Sequence, residues 1–227
     1  LTIYAFDYQT YIQTIQVLPS TGPYIMVTET TFNDNDDNVF TAGETILMGM
    51  ALSNIGSEIA SNVSVTLSST DQYITIINPV LNIGNIASGD ASSIEDFQIQ
   101  LANNIPDEHL VELTVTIATI DGDVFEYNRS FIVYAPLITW GALQIDDSTG
   151  NNNGRIDAGE NVTLTYTVTN SGHCNASDIS TDIVIDGVPY LIAPIISTID
   201  NLAIGMSAQL IYNITFSSQI PMGTPVQ

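Results

Sequence analysis

Short runs of alternating apolar and polar residues, an internal repeat, and the lack of any helical stripe predict an all-β chain of tandem β-sandwiches. "TILMGMALS" (45–53) and "NVTLTYTVT" (161–169) are strand-length runs, each ending at an Asn-x-Gly turn. "NVSVTLSS" (62–69), "LVELTVTIAT" (110–119) and "DVFEYNRSFIVY" (123–134) alternate with period two, as half-buried antiparallel strands do. "DGD" at 121–123 reads as the hairpin turn joining the last two. Seven or so short strands in roughly 110 residues suit an immunoglobulin-like sandwich. The Cys…Trp…Cys spacing of antibody domains is absent, so the expectation is of architecture alone.

The repeat sets the domain organisation. At an offset of 116, Ala42-Gly43-Glu44 falls on Ala158-Gly159-Glu160 and Asn54-Ile55-Gly56 on Asn170-Ser171-Gly172. Ala60 falls on Ala176, Ile83 on Ile199 and Gly89 on Gly205; further on, at 115, Phe97, Ile99 and Leu101 meet Tyr212, Ile214 and Phe216. The expected division is 1–23 as the tail of a preceding domain or a linker, 24–136 as module one and 137–227 as module two. The second copy lacks counterparts of 107–134, so it is expected to be truncated at its C-terminal strands. Open sheet edges of that kind imply a parent chain continuing past Gln227, or strands from a partner. A start at Leu1 with no Met or signal-like segment likewise suggests a piece of something longer.

Charge excludes several function classes. Twenty-five acids face only Arg129 and Arg155, giving a net charge of −23. Such a surface repels phosphate backbones and anionic lipid, so nucleic-acid binding is not expected, and it attracts divalent cations. No run of 18 apolar residues exists to span a membrane as a helix. The single cysteine, Cys174, has no intramolecular partner for a disulfide.

The chemistry-bearing candidates are two acidic loops, each placed just before a Thr-rich apolar run. With Gly154 at the sharp turn, a calcium-loop template puts Asn151 and Asn153 before it and Asp157 and Glu160 after it, with Asp146 and Asp147 upstream as further carboxylates. The same register in module one gives Asn33, Asn35, Asp37, Thr41 and Glu44, with Asn38 at the turn. Hard oxygen donors at alternating positions suit calcium better than zinc or copper. The competing reading is that Asp, Asn and Gly clusters make turns by bonding their own backbone, with no ion.

"DDSTGNNNGRIDAGENVTLTYTVTNSGHCNASDIS" resembles the Ig-like, CARDB-type repeats of large type IX-secreted bacterial proteins: an acidic Asn/Gly loop, Gly-Glu, a β run, Asn-x-Gly and an Ala. The N-terminal "LTIYAFDYQTYIQTIQVLPSTGPYIMV" resembles the last strands of the Ig-like domain that follows the catalytic domain in gingipain-type cysteine peptidases, on Leu1-Thr2, Tyr11 to Ile15 and Gly22-Pro23-Tyr24. The resemblance implies an extracellular or cell-surface location and an upstream peptidase domain. No catalytic motif of that family matches here, so no catalytic residue is carried over.

Other constellations read as structural. His173 and Cys174 are chain neighbours that point to opposite faces, which a nucleophilic dyad cannot use. His109 in "PDEHL" reads as a solvated loop residue. Trp140 and Tyr24 open the first strands of their modules after a proline; they read as plugs between sandwiches, or alternatively as a carbohydrate-stacking platform. The function expected is therefore a non-catalytic extracellular stalk or spacer with calcium-stiffened loops, its partners being neighbouring domains of the parent. The alternative is an adhesin or carbohydrate-binding module with a cell-surface or glycan ligand.

Overall fold

The computed structural model describes residues 2–3, 11–12, 21–182 and 196–223. Most of the N-terminal segment, and with it most of the Tyr11–Ile15 motif, lies outside the described residues. Within it, β1 (Thr2–Ile3) pairs antiparallel with β2 (Tyr11–Ile12). The chain divides into two compact units: Leu1–Asn103 with Leu110–Phe131, and Asn104–His109 with Ile132–Gln227. All regular structure among the described residues is β-strand, and no helix there is long and apolar enough to cross a membrane.

Unit 1 is a sandwich of two four-stranded sheets. One has the order β3 (Ile25–Asn33), β4 (Thr45–Asn54), β8 (Ala91–Leu101), β6 (Ile74–Ile76). The other has the order β10 (Val124–Val133), β9 (His109–Ala118), β5 (Ala60–Ser68), β7 (Val80–Ile86). The period-two pattern decides which side chains are inside: Val111, Leu113, Val115 and Ile117 of β9 are buried, and so are Val63, Val65 and Leu67 of β5. The 121–123 turn is a hairpin turn, with Thr119 N donating to Asp123 O. His109, expected in a loop, is the half-buried first residue of β9.

Unit 2 is built from β11 (Ile138–Trp140), β12 (Gln144–Asp146), β13 (Asn161–Asn170), β14 (Ala176–Asp182), β15 (Ile196–Leu202) and β16 (Ser207–Thr215). β13 is flanked by β16 on one edge and by β11 and β12, end to end, on the other; β14 and β15 form a second pair. Val162, Leu164, Val168, Leu210, Tyr212, Ile214 and Phe216 form its core with Ala176 and Leu202. Among the described residues unit 2 has no counterpart of β9 or β10.

Strand pairing explains why the repeat changes its offset. In β8, Ile94 and Phe97 both face the core although they lie three residues apart, and a bulge opposite Gly49 absorbs the extra residue. β16 pairs with β13 without interruption, so Leu210 and Tyr212 face the core two residues apart. One residue fewer turns the offset from 116 to 115. Before the acidic loops the offset is 113, because Asn33 pairs with Leu47 as Asp146 pairs with Thr163. The second loop is three residues longer, and the structural counterpart of Tyr24 is Leu137 rather than Trp140.

Candidate functional site

Each Asn-x-Gly motif does more than end a strand. Asn54 is fully buried, and its side chain makes four hydrogen bonds. Oδ1 accepts from Tyr24 N (3.1 Å) and Gly56 N (3.0 Å), while Nδ2 donates to Glu58 O (2.8 Å) and Ile86 O (3.0 Å). Asn170, equally buried, repeats the set with Leu137 N (3.3 Å), Gly172 N (3.1 Å), Cys174 O (2.7 Å) and Leu202 O (3.0 Å). An amide that offers two donors and an oxygen with two lone pairs is fully used at this site. It ties the start of the first strand, its own turn, the next strand and the strand beyond into one junction. Gly56 and Gly172 complete it, since a Cβ there would collide with the backbone of Tyr24 and Leu137 respectively.

The acidic loop of unit 2 is organised around Asp147 and Glu160, both buried. Asp147 Oδ2 accepts from Gly154 N (2.8 Å), and Glu160 accepts from Asn151 N (2.7 Å) and Asp157 N (3.0 Å). Asp157 Oδ2 accepts from the side-chain amides of Asn151 (2.7 Å) and Asn153 (2.6 Å), and these bonds hold its pKa below the ordinary carboxylate value. The loop thus joins Asp147, Asn151, Asn153, Asp157 and Glu160 in one network. Asp146 stands apart, accepting from Ser148 N (2.9 Å), and hydrogen bonds from Ser148 lower its pKa.

In unit 1, Asn33 Oδ1 accepts from Asn35 N (2.6 Å), Asp37 Oδ1 from Val39 N (2.8 Å), and Glu44 Oε2 from Thr41 N (2.7 Å). The residue that organises this loop is Asp34, which was not among the expected ligands. Its Oδ1 accepts from Asp36 N (2.8 Å) and from Asn38 N (3.1 Å), as Asp147 accepts from Gly154. Asn38 and Gly154 both sit in the left-handed region, at φ 61° and 76°. The signal that could have found Asp34 is its place next after the first strand, one the 116-residue offset hides. Asp34 Oδ2 is a buried side-chain oxygen without a hydrogen-bond partner. Among the described residues, no group of three or more His, Cys, Asp or Glu side chains is placed to hold a metal ion. The loop carboxylates are engaged chiefly with backbone N–H groups, as Asx-type turns require.

Within unit 2, His173 Nδ1 lies 2.9 Å from Asp107 Oδ2, and Asp107 Oδ1 accepts from Ala135 N (3.0 Å). The hydrogen bond that His173 donates to Asp107 raises the His173 pKa above its ordinary 6.5. Burial pushes Asp107 up, but the bonds from Ala135 and His173 outweigh it and leave its pKa below 3.8. The His173 contribution to stability is therefore complete below pH 6.5 and lost as pH rises through the elevated folded value. That of Asp107 is complete above pH 3.8 and lost as pH falls through the depressed value. Melting temperature against pH should show a benefit from this pair that is largest between about 4 and 6.5. His173→Gln should remove the alkaline fall-off; an unchanged profile would show the pair to be without weight.

The fold and these networks define a class: immunoglobulin-like β-sandwich modules. Residues 142–224 match the CARDB family, an immunoglobulin-like, non-catalytic domain family found in extracellular and cell-surface proteins. No curated protein matches the chain. Among solved structures, the chain is similar to the YadV chaperone at 10% identity and a TM-score of 0.29, covering 87% of this chain and 96% of that one. It is also similar to the secreted serine protease VesC from Vibrio cholerae at 10% identity and a TM-score of 0.31, covering 85% of this chain and 47% of that one.

Proposed function

We propose that the chain is a non-catalytic extracellular spacer whose acidic loops are stiffened by calcium. The observation that carries the spacer reading is the repeated junction at Asn54 and Asn170, where polar side chains are consumed in holding strands together. Supporting the extracellular part is the match of residues 142–224 to a family of that location. Resemblance of the N-terminal segment to the tail of a gingipain-type Ig-like domain supports a peptidase upstream in the parent, and resemblance of 146–180 to the CARDB-type repeats of type IX-secreted proteins supports secretion by that route.

Two features support calcium. Asp34 Oδ2 is left without a donor, and the second loop draws Asp147, Asp157 and Glu160 into one turn. Modest rearrangement of the Asn151 and Asn153 amides would free Asp157 as a ligand. Extracellular calcium modules bind at about 10⁻⁴–10⁻³ M. Two millimolar calcium would then add roughly 0.7–1.8 kcal/mol, or several degrees of melting temperature.

Thermal unfolding in excess EDTA and then in calcium tests this reading. The wild type should gain those degrees in calcium, and Glu44→Ala and Glu160→Ala should each lose part of the gain. Even in EDTA, Glu160→Ala should cost about 2 kcal/mol, because two loop N–H groups lose a charged acceptor. No calcium shift in the wild type would leave the loops as ion-free turns. A second reading, glycan binding, is favoured by one observation: Trp140 is 58% exposed and packs edge-on against Tyr166.

A further inference from the structure

Asn153-Gly154 is the only Asn-Gly pair in the sequence. Such a pair carries latent chemistry, because the glycine amide nitrogen can attack the asparagine side-chain carbon when no Cβ obstructs the approach. Both residues are exposed, and nothing lies within 4 Å of where a Cβ on Gly154 would stand.

Three hydrogen bonds converge on the atoms that would react. The attacking nitrogen, Gly154 N, donates to the buried carboxylate of Asp147 at 2.8 Å. The oxygen that would gain charge, Asn153 Oδ1, accepts from Arg155 N at 2.9 Å. The nitrogen that would leave, Asn153 Nδ2, donates to Asp157 Oδ2 at 2.6 Å, which fixes the amide in place. A base on the attacking N–H and a donor on the developing oxyanion are the parts that acyl transfer uses.

The internal repeat displays the product. At the offset of 116, position 153 corresponds to Asp37 and position 154 to Asn38. Asp37 Oδ1 accepts from Val39 N, two residues on, as Asn153 Oδ1 accepts from Arg155 N. Asp34 accepts from Asn38 N as Asp147 accepts from Gly154 N. Unit 1 thus encodes, in the same turn, the carboxylate that conversion of Asn153 would leave.

We propose that Asn153 is a self-modifying site, at which the folded loop promotes conversion of the side-chain amide to a carboxylate. Gly154 N bonds to Asn153 Cγ as its proton passes to Asp147. The Cγ–Nδ2 bond then breaks, and ammonia leaves with that proton, closing a succinimide ring. Water adds to either imide carbonyl and opens the ring to an aspartyl or isoaspartyl residue at position 153. The product loses the donor to Asp157 and sets a second carboxylate beside it, so the loop gains one negative charge. The reaction needs no bound ion and stands apart from the calcium reading.

The test incubates the full chain in mildly alkaline buffer with EDTA, native and in guanidinium chloride. Mass spectrometry of the peptide carrying position 153, with isoaspartate-specific methylation, follows the conversion. A positioned base is worth about 10²–10⁴-fold, so the native chain should convert at least about tenfold faster than the unfolded one. Asp147→Asn should bring the native rate down to the unfolded rate and leave the unfolded rate unchanged. Should that variant not fold, the ratio of native to unfolded rates in the wild type decides alone. A native rate at or below the unfolded rate would overturn the proposal. So would a folded Asp147→Asn chain that converts as fast as the wild type.

Discussion

Asn54→Ala should destabilise unit 1 by about 4 kcal/mol, and Asn170→Ala should do the same to unit 2. Each truncation strands two backbone N–H groups and two carbonyls in a closed site, and every such buried orphan costs about 1–3 kcal/mol. Some of that is recovered as water enters, so the sum is below the arithmetic maximum, but it still exceeds most single substitutions. Asn54→Asp separates hydrogen bonding from shape. It keeps the acceptor, loses both donors, and sets a carboxylate against the carbonyls of Glu58 and Ile86. That carboxyl should have a raised pKa, so the Asp variant should recover stability as pH falls, while the Ala variant should not. Denaturant unfolding of the three single variants measures this. Losses within about 1 kcal/mol of wild type would mean the junction is wet and weak.

The second large effect is expected at Gly172→Ala and Gly56→Ala. The added methyl meets backbone rather than a movable side chain: Ala135 O at 2.5 Å and the Leu137 amide in unit 2, Gly22 O at 2.5 Å and the Tyr24 amide in unit 1. The first strand must move away, breaking the bonds from Ser171 N to Leu137 O and from His173 N to Ala135 O. A loss of about 2–4 kcal/mol is expected, in the range of overpacking with broken hydrogen bonds. Gly154→Ala is the contrast: its φ is 76° but nothing lies within 4 Å of the added atom, so only left-handed strain of about 1–2 kcal/mol applies. Because Asn170 and Gly172 serve one junction, the double variant should lose less than the sum of the singles. Strict additivity in a double-mutant cycle would refute a shared junction.

The strands were legible because their burial follows a period of two, which residue types display directly: β9 and β13 sit where the alternation put them. The repeat was legible through its punctuation, and even the slip from 116 to 115 was visible, although only pairing shows it to be the bulge opposite Gly49. The acidic loops were legible as turns but not as networks. Asn, Asp and Glu supply the same oxygens to a cation and to backbone N–H groups, so spacing cannot separate the two uses. Asp34 was overlooked because a loop three residues shorter breaks the register that identified its neighbours. The Asn-x-Gly motif read as a local turn, whereas three of the four partners of each Asn side chain, such as Tyr24, Glu58 and Ile86 for Asn54, lie beyond the turn itself.

Local alternation and punctuation were enough to settle the all-β class and to expose the internal repeat. Periodicity and net charge are properties of residues taken in order. Which side chains close the junctions and which carboxylate organises each loop depended on strands far apart in sequence meeting in one place. Burial and hydrogen-bond satisfaction are properties of that meeting, and they exist only once the sheets have paired.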